Sequence, residues 1–333
     1  MENDWSTCFE INPIPILLTS KQKAIRYFTQ RDFLCESVEA IEILWQESEA
    51  QRILKKQLAD SSWPSSAKNQ HPAINYCLIE TWRNLRFLIE MYGFTRAHPQ
   101  IEKAAEFIFS CQSPDSDLRG ILANQYATYY TGAILSLLIK AGYQEDHRVE
   151  KAMRWLLSIR QDDLGWSIPM ITHKFSREEQ YQLSSQFMVP VEPDRSKPFS
   201  HNATGMVLRA FAAHEKYRHS VDAISAAHLL KSRFFEKDAY TSYQSASYWV
   251  RFEYPFWWNQ LVSAMDSISI IMPDNTDTQI QKALQWFLAH QREDGLWNTT
   301  YVADKEPQSP KTSIKREWIT LAICRIFARL NNA

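Results

Sequence analysis

The sequence predicts an all-α protein. Outer amphipathic helices alternate with inner apolar ones, in about five to six pairs arranged as a ring around a cavity. Three observations carry this reading. A short phrase occurs four times, as Gln57-x-x-Asp60-x-x-Trp63, Gln112-x-x-Asp115-x-x-Leu118, Arg160-x-x-Asp163-x-x-Trp166 and Gln291-x-x-Asp294-x-x-Trp297. Such a repeat marks supersecondary units that cannot bury their apolar faces alone and must stack on one another. The segment before three of the phrases has the stripe of an amphipathic helix, as in Ile101, Ala104, Ala105, Ile108 and Phe109, with apolar residues returning every third or fourth position. Glycine is also scarce, at 7 of 333 residues, and alternating β-branched runs are few.

The elements follow in order. A helix over 21–34 is placed to close the ring. The first outer helix, 37–59, has the weakest stripe, with only Ala50, Ile53 and Leu54 in phase, and leads to an inner helix over 73–92 that Gly93 stops. The outer helix 98–111 precedes the inner helix 121–141, ended by Gly142. The outer helix 146–160 repeats the stripe with Val149, Ala152, Met153, Leu156 and Leu157. Residues 167–200 then break the rhythm with Pro169, Pro190, Pro193 and Pro198. A loop that long inside a compact domain reads either as a lid over one mouth of the ring or as a surface excursion. Inner helices 202–218, 256–272 and 313–331 alternate with outer helices 221–235 and 277–291. The former outer helix has part of the stripe (Val221, Ile224, Leu229) and no phrase. The latter has the full stripe, Ile280, Ala283, Leu284, Phe287 and Leu288, and Pro273 separates it from the inner helix before it. The whole, 1–333, reads as one domain with an insertion at 167–200. Each phrase falls at an outer-helix C-terminus. There its Gln or Arg can bond unsatisfied carbonyls, its Asp can cap the turn and its Trp can cover the junction, so the phrase reads as structural.

Composition excludes several classes. A net charge of −1 with 23% charged residues gives no field that would hold nucleic acid. The five cysteines (Cys8, Cys35, Cys77, Cys111, Cys324) are scattered and odd in number. They read as reduced cytoplasmic thiols with no structural metal. No signal peptide and no long apolar run is present, so the chain is not expected to span a membrane. Contact with a membrane surface remains compatible with an apolar substrate.

Aromatic residues supply the candidate binding surface. Tyr248, Trp249, Phe252, Tyr254, Phe256, Trp257 and Trp258 crowd one short stretch, and Trp82, Tyr126, Tyr129 and Tyr130 are placed to line the same space. Facing a cavity, such rings would hold a polyprenyl chain and stabilise a carbocation through their π faces. Facing the core, they would be ordinary packing. Glu253 lies inside this run beside Arg251. It would have a raised pKa if buried, and Arg251 could instead pair with it.

The phrase resembles the QW motif, Gln-x-x-Asp-Gly-x-Trp, of the squalene–hopene and oxidosqualene cyclases; Gln291–Trp297 matches it in full and the other copies in part. The helix pairing over about 40–330 resembles the α/α toroid that those enzymes share with protein prenyltransferase β-subunits. The chain is similar to a single-toroid relative. The resemblance implies a class II terpene cyclase, an isomerase acting on an isoprenoid by protonating an alkene or epoxide with the middle Asp of Asp-x-Asp-Asp. That motif is missing. The nearest string is Asp115-Ser-Asp117-Leu118, read either as an acid pair or as a loop cap. The Thr-Ala step that follows the family's acid motif is echoed at Tyr129-Tyr130-Thr131-Gly132 and His201-Asn202-Ala203-Thr204. On that alignment Tyr129, Tyr130, His201 and Asn202 stand where the acids would. Asp115, Asp117, His201 and Glu253 are therefore the candidate acids. The prenyltransferase resemblance would require zinc held by Asp, Cys and His; Asp32 and Cys35 are close, yet no His is placed to join them, and no metal or other cofactor is expected. Two alternatives remain open: a catalytically silent toroid that binds an isoprenoid or a protein partner, and a carbohydrate enzyme, which would need two carboxylates facing each other across a cleft.

Overall fold

The computed structural model describes residues 5–34, 37–68, 70–240, 245–302 and 309–331. Its α-helices are α1 (Ile14–Leu18), α2 (Lys23–Phe33), α3 (Ser48–Leu54), α4 (Tyr76–Tyr92), α5 (Pro99–Ser110), α6 (Thr128–Leu138), α7 (His147–Ser158), α8 (Arg177–Ser185), α9 (His201–Ala213), α10 (Val221–Lys231), α11 (Leu261–Ile271), α12 (Thr278–Ala289) and α13 (Pro310–Asn331). Short 3-10 turns, a π-helical turn (Ile139–Tyr143), one short extended segment (Ile121–Asn124) and loops make up the rest of the described residues, so the fold is all-α. No helix among the described residues is long and apolar enough to cross a membrane. The chain divides into two compact units, Ile41–Ala226 and Met1–Ala40 with Ala227–Ala333.

In the unit Ile41–Ala226 the two helix types differ as the stripe predicts. On α5 the buried residues are Ile101, Ala104, Ala105, Ile108 and Phe109, and on α7 Val149, Ala152, Met153, Trp155 and Leu156. By contrast α6 is buried along its whole length, and α9 from His201 to Ala212. Apolar residues all round a helix require neighbours on every side. The contact between α6 and α9 is backbone-close: a Cβ added at Gly132 would lie 2.5 Å from Cα of Val207. Side chains at Asn75, Asp146 and Ser200 accept bonds from the first-turn N–H groups of α4, α7 and α9.

The four phrases fold into superposable turns. The N–H of the second residue donates to the carbonyl of the sixth, in Leu58→Ser62 (2.8 Å), Ser113→Asp117 (2.8 Å), Gln161→Gly165 (3.0 Å) and Arg292→Leu296 (3.0 Å). The fifth residue is left-handed each time, with φ +73° at Ser61, +81° at Ser116, +75° at Leu164 and +75° at Gly295. Glycine suits this conformation, and only the last copy has it. Three of the glutamines donate from Nε2 to the fifth residue's carbonyl and to a carbonyl at the start of the next outer segment: Gln57 to Gln100 (3.0 Å), Gln112 to Arg148 (3.0 Å) and Gln291 to Ile11 (2.7 Å). Arg160 stands in for the fourth and instead ion-pairs with Asp222 in the first turn of α10 (2.8 Å). Each Trp indole donates to the carbonyl ten residues earlier: Trp63 to Ile53, Trp166 to Leu156 and Trp297 to Phe287, at 2.7–2.8 Å. All three rings are fully buried.

The other unit holds α1, α2, α11, α12, α13 and the end of α10. Within it α13 lies against α2 and α11. Arg325 pairs with Asp32 (2.7 Å) and Arg329 with Asp266 (2.5 Å), fixing α13 to α2 and α11. Phe9 packs on Trp297 and Phe327 with ring centroids 5.6 and 4.7 Å away.

Three expected boundaries are corrected. The segment 37–59 is not one helix: a 3-10 turn, Ile41–Gln46, is separated from α3 by extended Glu47, as its weak stripe allows. The inner helix expected from 121 starts at Thr128, because Gly120 and Ala123, both at positive φ, fold 120–124 into a bridged turn. The helix expected from 256 starts at Leu261. Before it Arg251 bridges Thr300, and a cis Tyr254–Pro255 bond follows.

Candidate functional site

In the unit Ile41–Ala226 the first turns of α6 and α9 are set by the phrase turns before them. The seventh phrase residue donates its N–H to a threonine hydroxyl on an inner helix: Trp63 to Thr81 (3.2 Å), Leu118 to Thr131 (3.2 Å), Trp166 to Thr204 (2.9 Å) and, in the other unit, Trp297 to Thr320 (3.3 Å). Thr131 and Thr204 each occupy the fourth position of their helix. Thr128 is thereby the repeat equivalent of His201, and Tyr129 that of Asn202. These threonines were missed by sequence reasoning as partners of the phrase, although a Thr on each inner helix was there to be found.

Tyr129, Tyr130, His201 and Asn202 are all buried. The Tyr129 and Tyr130 rings lie 4.3 Å apart, and Trp82 from α4 meets Tyr130 edge-on at 4.9 Å. Arg86, one turn along α4 and buried, places its guanidinium 5.1 Å over the Trp82 ring. Sequence reasoning missed Arg86; its i+4 spacing from Trp82 within an apolar helix is the available signal. Burial pushes the Tyr129 phenol well above its ordinary value. Tyr130 is pushed up to about 12 by burial, against the opposing pull of Arg83 and Arg86. Both phenols hold their protons through the physiological range and offer hydroxyl donors and neutral π faces.

Asp115 and Asp117 do not form a shared-proton acid pair. Arg119 bridges them, pairing with Asp115 and donating Nε to Asp117 at 3.0 and 3.1 Å, and Ser113 also donates to Asp117. Asp117 is fully buried, and burial pushes its carboxyl above the ordinary value despite Ser113 and Arg119. The Arg119 guanidinium covers Tyr126 at 4.6 Å, and the Tyr126 hydroxyl donates to Glu192 (2.9 Å).

In the other unit the aromatic run divides. Trp249 is fully buried against Phe234 and donates to the Glu236 carbonyl (2.9 Å). Phe252 packs on Trp286, Phe287 and Tyr301. Trp249 serves packing, an alternative left open by the sequence, while Phe252 packs on one side and borders a cleft on the other. Tyr254 stacks on Trp318 at 5.2 Å with Phe256 edge-on beside it, while Trp257 and Trp258 are half-buried. Phe252 and Trp258, with Tyr248, Arg251, Glu253, Asn259 and Gln260, line a cleft of about 210 Å³. Glu253 is exposed there, its backbone clasped by the Gln260 amide (2.9 and 2.6 Å), and Arg251 lies over Tyr248 at 4.8 Å. The burial that would make Glu253 a strong acid candidate is thus not met, because density of aromatics in sequence says nothing of which side the carboxylate takes.

Among the described residues no group of three or more His, Cys, Asp or Glu side chains could hold a metal ion. Asp32 is bonded by Arg31 and Arg325, and Cys35 lies outside the described residues.

No family profile matches the chain, and no curated protein sequence matches it. Among solved structures it is similar to a protein from Actinoplanes (TM-score 0.46, 14% identity, 87% of each chain covered). It is also similar to a variant of the type II terpene cyclase MstE from Scytonema, solved with the product merosterolic acid A. That match has a TM-score of 0.44 and 12% identity and covers 98% of this chain and 87% of that one. Another MstE variant, solved with the substrate geranylgeranyl dihydroxybenzoate, matches at a TM-score of 0.32 and 12% identity over 84% and 94%. Likenesses at this level transfer no activity.

Proposed function

We propose that the chain is a terpene-cyclase-like enzyme, a single α/α toroid acting in the cytoplasm on a polyprenyl or prenylated substrate. The observation that supports this best is the buried set Tyr129, Tyr130, His201 and Asn202, at the positions that the QW resemblance gives to the acid motif, with Trp82 packed edge-on against Tyr130. The π faces of Trp82 and the two tyrosines would stabilise a passing carbocation. His201 is the initiating acid of this reading, since Asp117 is held by Arg119 and Glu253 is exposed. Its imidazolium gives a proton to an epoxide oxygen; neighbouring double bonds attack the cation to form rings; the last cation loses a proton, so the product is an isomer of the substrate. Reprotonation of His201 from solvent restores the acid.

A second reading, a silent toroid binding an isoprenoid, is favoured by that same pairing of Asp117 and exposure of Glu253. An extraction assay separates the two. The chain is incubated without metal with squalene, its epoxide and geranylgeranyl dihydroxybenzoate, and the organic phase is read by mass spectrometry. A new isomer of unchanged mass supports the cyclase; unreacted lipid retained by the protein supports the silent toroid.

A further inference from the structure

The proposed function uses no residue of the aromatic run 248–258, and this run frames a cleft of its own. Two ties fix its backbone. Phe252 donates its N–H to the Thr299 carbonyl (2.6 Å), and the Val250 carbonyl accepts from the Tyr301 N–H (3.1 Å). Further on, the Gln260 amide clasps the backbone of Glu253. Three aromatic residues, Tyr248, Phe252 and Trp258, and two oppositely charged ones, Arg251 and Glu253, line the cleft. Both charged residues are exposed, yet among the described residues neither forms an ion pair with the other or with a third group. Arg251 rests its guanidinium over the Tyr248 ring at 4.8 Å. That contact uses the face of the guanidinium and leaves its in-plane N–H donors for a ligand.

We propose that this cleft binds a small zwitterion of the α-amino-acid class, with its carboxylate on Arg251, its ammonium on Glu253 and an apolar side chain against Phe252 and Trp258. Charge selects the class. A plain anion on Arg251 would face the Glu253 carboxylate, a plain cation on Glu253 would face the Arg251 guanidinium, and a neutral ligand would use neither. A molecule that bears both charges satisfies both residues, the carboxylate through the paired donors of the guanidinium. Spacing sets how far apart those charges lie on the ligand. Two residues of chain span at most about 7 Å, so two long side chains rooted there reach groups carried on a single carbon. Size excludes an isoprenoid: a volume of about 210 Å³ lies below the roughly 300–1,000 Å³ of pockets for drug-sized ligands. The amide residues of the wall, Asn259 and Gln260, are 1% and 3% exposed, so the polar side of the cleft is built into the packed structure. The assignment concerns binding alone. It adds no step to the chemistry proposed above and does not depend on it.

The test is calorimetric titration of the full chain with L-phenylalanine, supported by ligand-observed NMR. Two controls each lack one charge: N-acetyl-L-phenylalanine has no ammonium, and phenethylamine has no carboxylate. L-Phenylalanine is expected to bind, and each control to bind about tenfold or more weakly. Arg251→Gln and Glu253→Gln alter only exposed positions and should keep the circular dichroism of the parent. Arg251→Gln should weaken L-phenylalanine about tenfold or more but not phenethylamine. Glu253→Gln should weaken it to the same extent but not N-acetyl-L-phenylalanine. Damage to the fold would weaken all three ligands together, so this crossed pattern belongs to the proposed contacts. No binding of L-phenylalanine overturns the proposal. So does a control that binds as well as L-phenylalanine, or binding that neither substitution changes.

Discussion

A single hydroxyl at each of Thr81, Thr131, Thr204 and Thr320 accepts the N–H of the seventh phrase residue and so fixes where an inner helix sits against the turn. The bond at Thr204 is fully buried. Replacing it with Val keeps the shape and leaves the Trp166 N–H unsatisfied, which costs about 1–3 kcal/mol. Thr204→Val should therefore lower stability by that amount in urea unfolding, while Thr204→Ser should stay near the parent. Equal loss in both variants would mean that packing of the methyl, not the bond, matters. Gly132 is a comparable single point, since a Cβ there meets Val207 backbone at 2.5 Å. Gly132→Ala must push α6 from α9 and should cost about 1–3 kcal/mol, measured the same way; an unchanged midpoint would show that the helices part freely.

At the scale of elements, the phrase is a tie between successive outer segments, and Arg160 shows how much chemistry the tie tolerates. Its ion pair with Asp222 is partly exposed, with side chains 18% and 38% accessible, so it contributes about 0–1 kcal/mol and weakens with salt. Arg160→Gln should restore a neutral tie and remove most of that salt dependence; a salt response equal to the parent's would show that the pair contributes nothing. The outer helices were legible because one buried face imposes a stripe, and α5, α7 and α12 bury almost the residues that the stripe names. The inner helices were legible as apolar runs, but their starts were not. Residues 121–127 and 256–260 are apolar enough to read as helix, yet backbone reversals at Gly120 and Ala123, and the bridge from Arg251 to Thr300 just before the second segment, go with non-helical backbone there. Of the candidate site, Tyr129, Tyr130, His201 and Asn202 were reached through the motif alignment and are buried. The exposure of Glu253, the Arg119 bridge and the buried Arg86 depend on side-chain direction, which no spacing encodes.

At the scale of the molecule, charge and chemistry are read together. Burial raises Asp277, but Lys231 and the backbone N–H groups of Ile280 and Gln279 outweigh it and leave the carboxyl below its ordinary value. A depressed carboxyl contributes stability above the unfolded value, about pH 4, and loses it as pH falls through the folded one. Asp117 has the opposite sign: its raised carboxyl favours the fold most at low pH, and that contribution fades as pH rises through the folded value. Asp277→Asn should cost about 3 kcal/mol near neutral pH, because it strands the buried Lys231, and should shrink the loss on acidification. Asp117→Asn should leave the acid limb intact. The catalytic consequence is sharper. With His201 as the initiating acid, the proton comes from an imidazolium, a weaker acid than a protonated carboxyl. A weak acid needs a more basic acceptor, so the oxygen of an epoxide should be opened and an unactivated terminal alkene should not. Turnover of squalene epoxide is then the reaction to follow. It should vanish in His201→Gln and survive in Glu253→Gln. Removing one ring of the proposed cation-stabilising set by Trp82→Ala should slow it by up to about 30-fold, equivalent to about 2 kcal/mol of lost cation–π stabilisation. Product formation followed by mass spectrometry in these variants decides this. Equal turnover of alkene and epoxide, or a rate indifferent to His201, would remove the histidine from the mechanism and return the search to the remaining buried groups of α6 and α9.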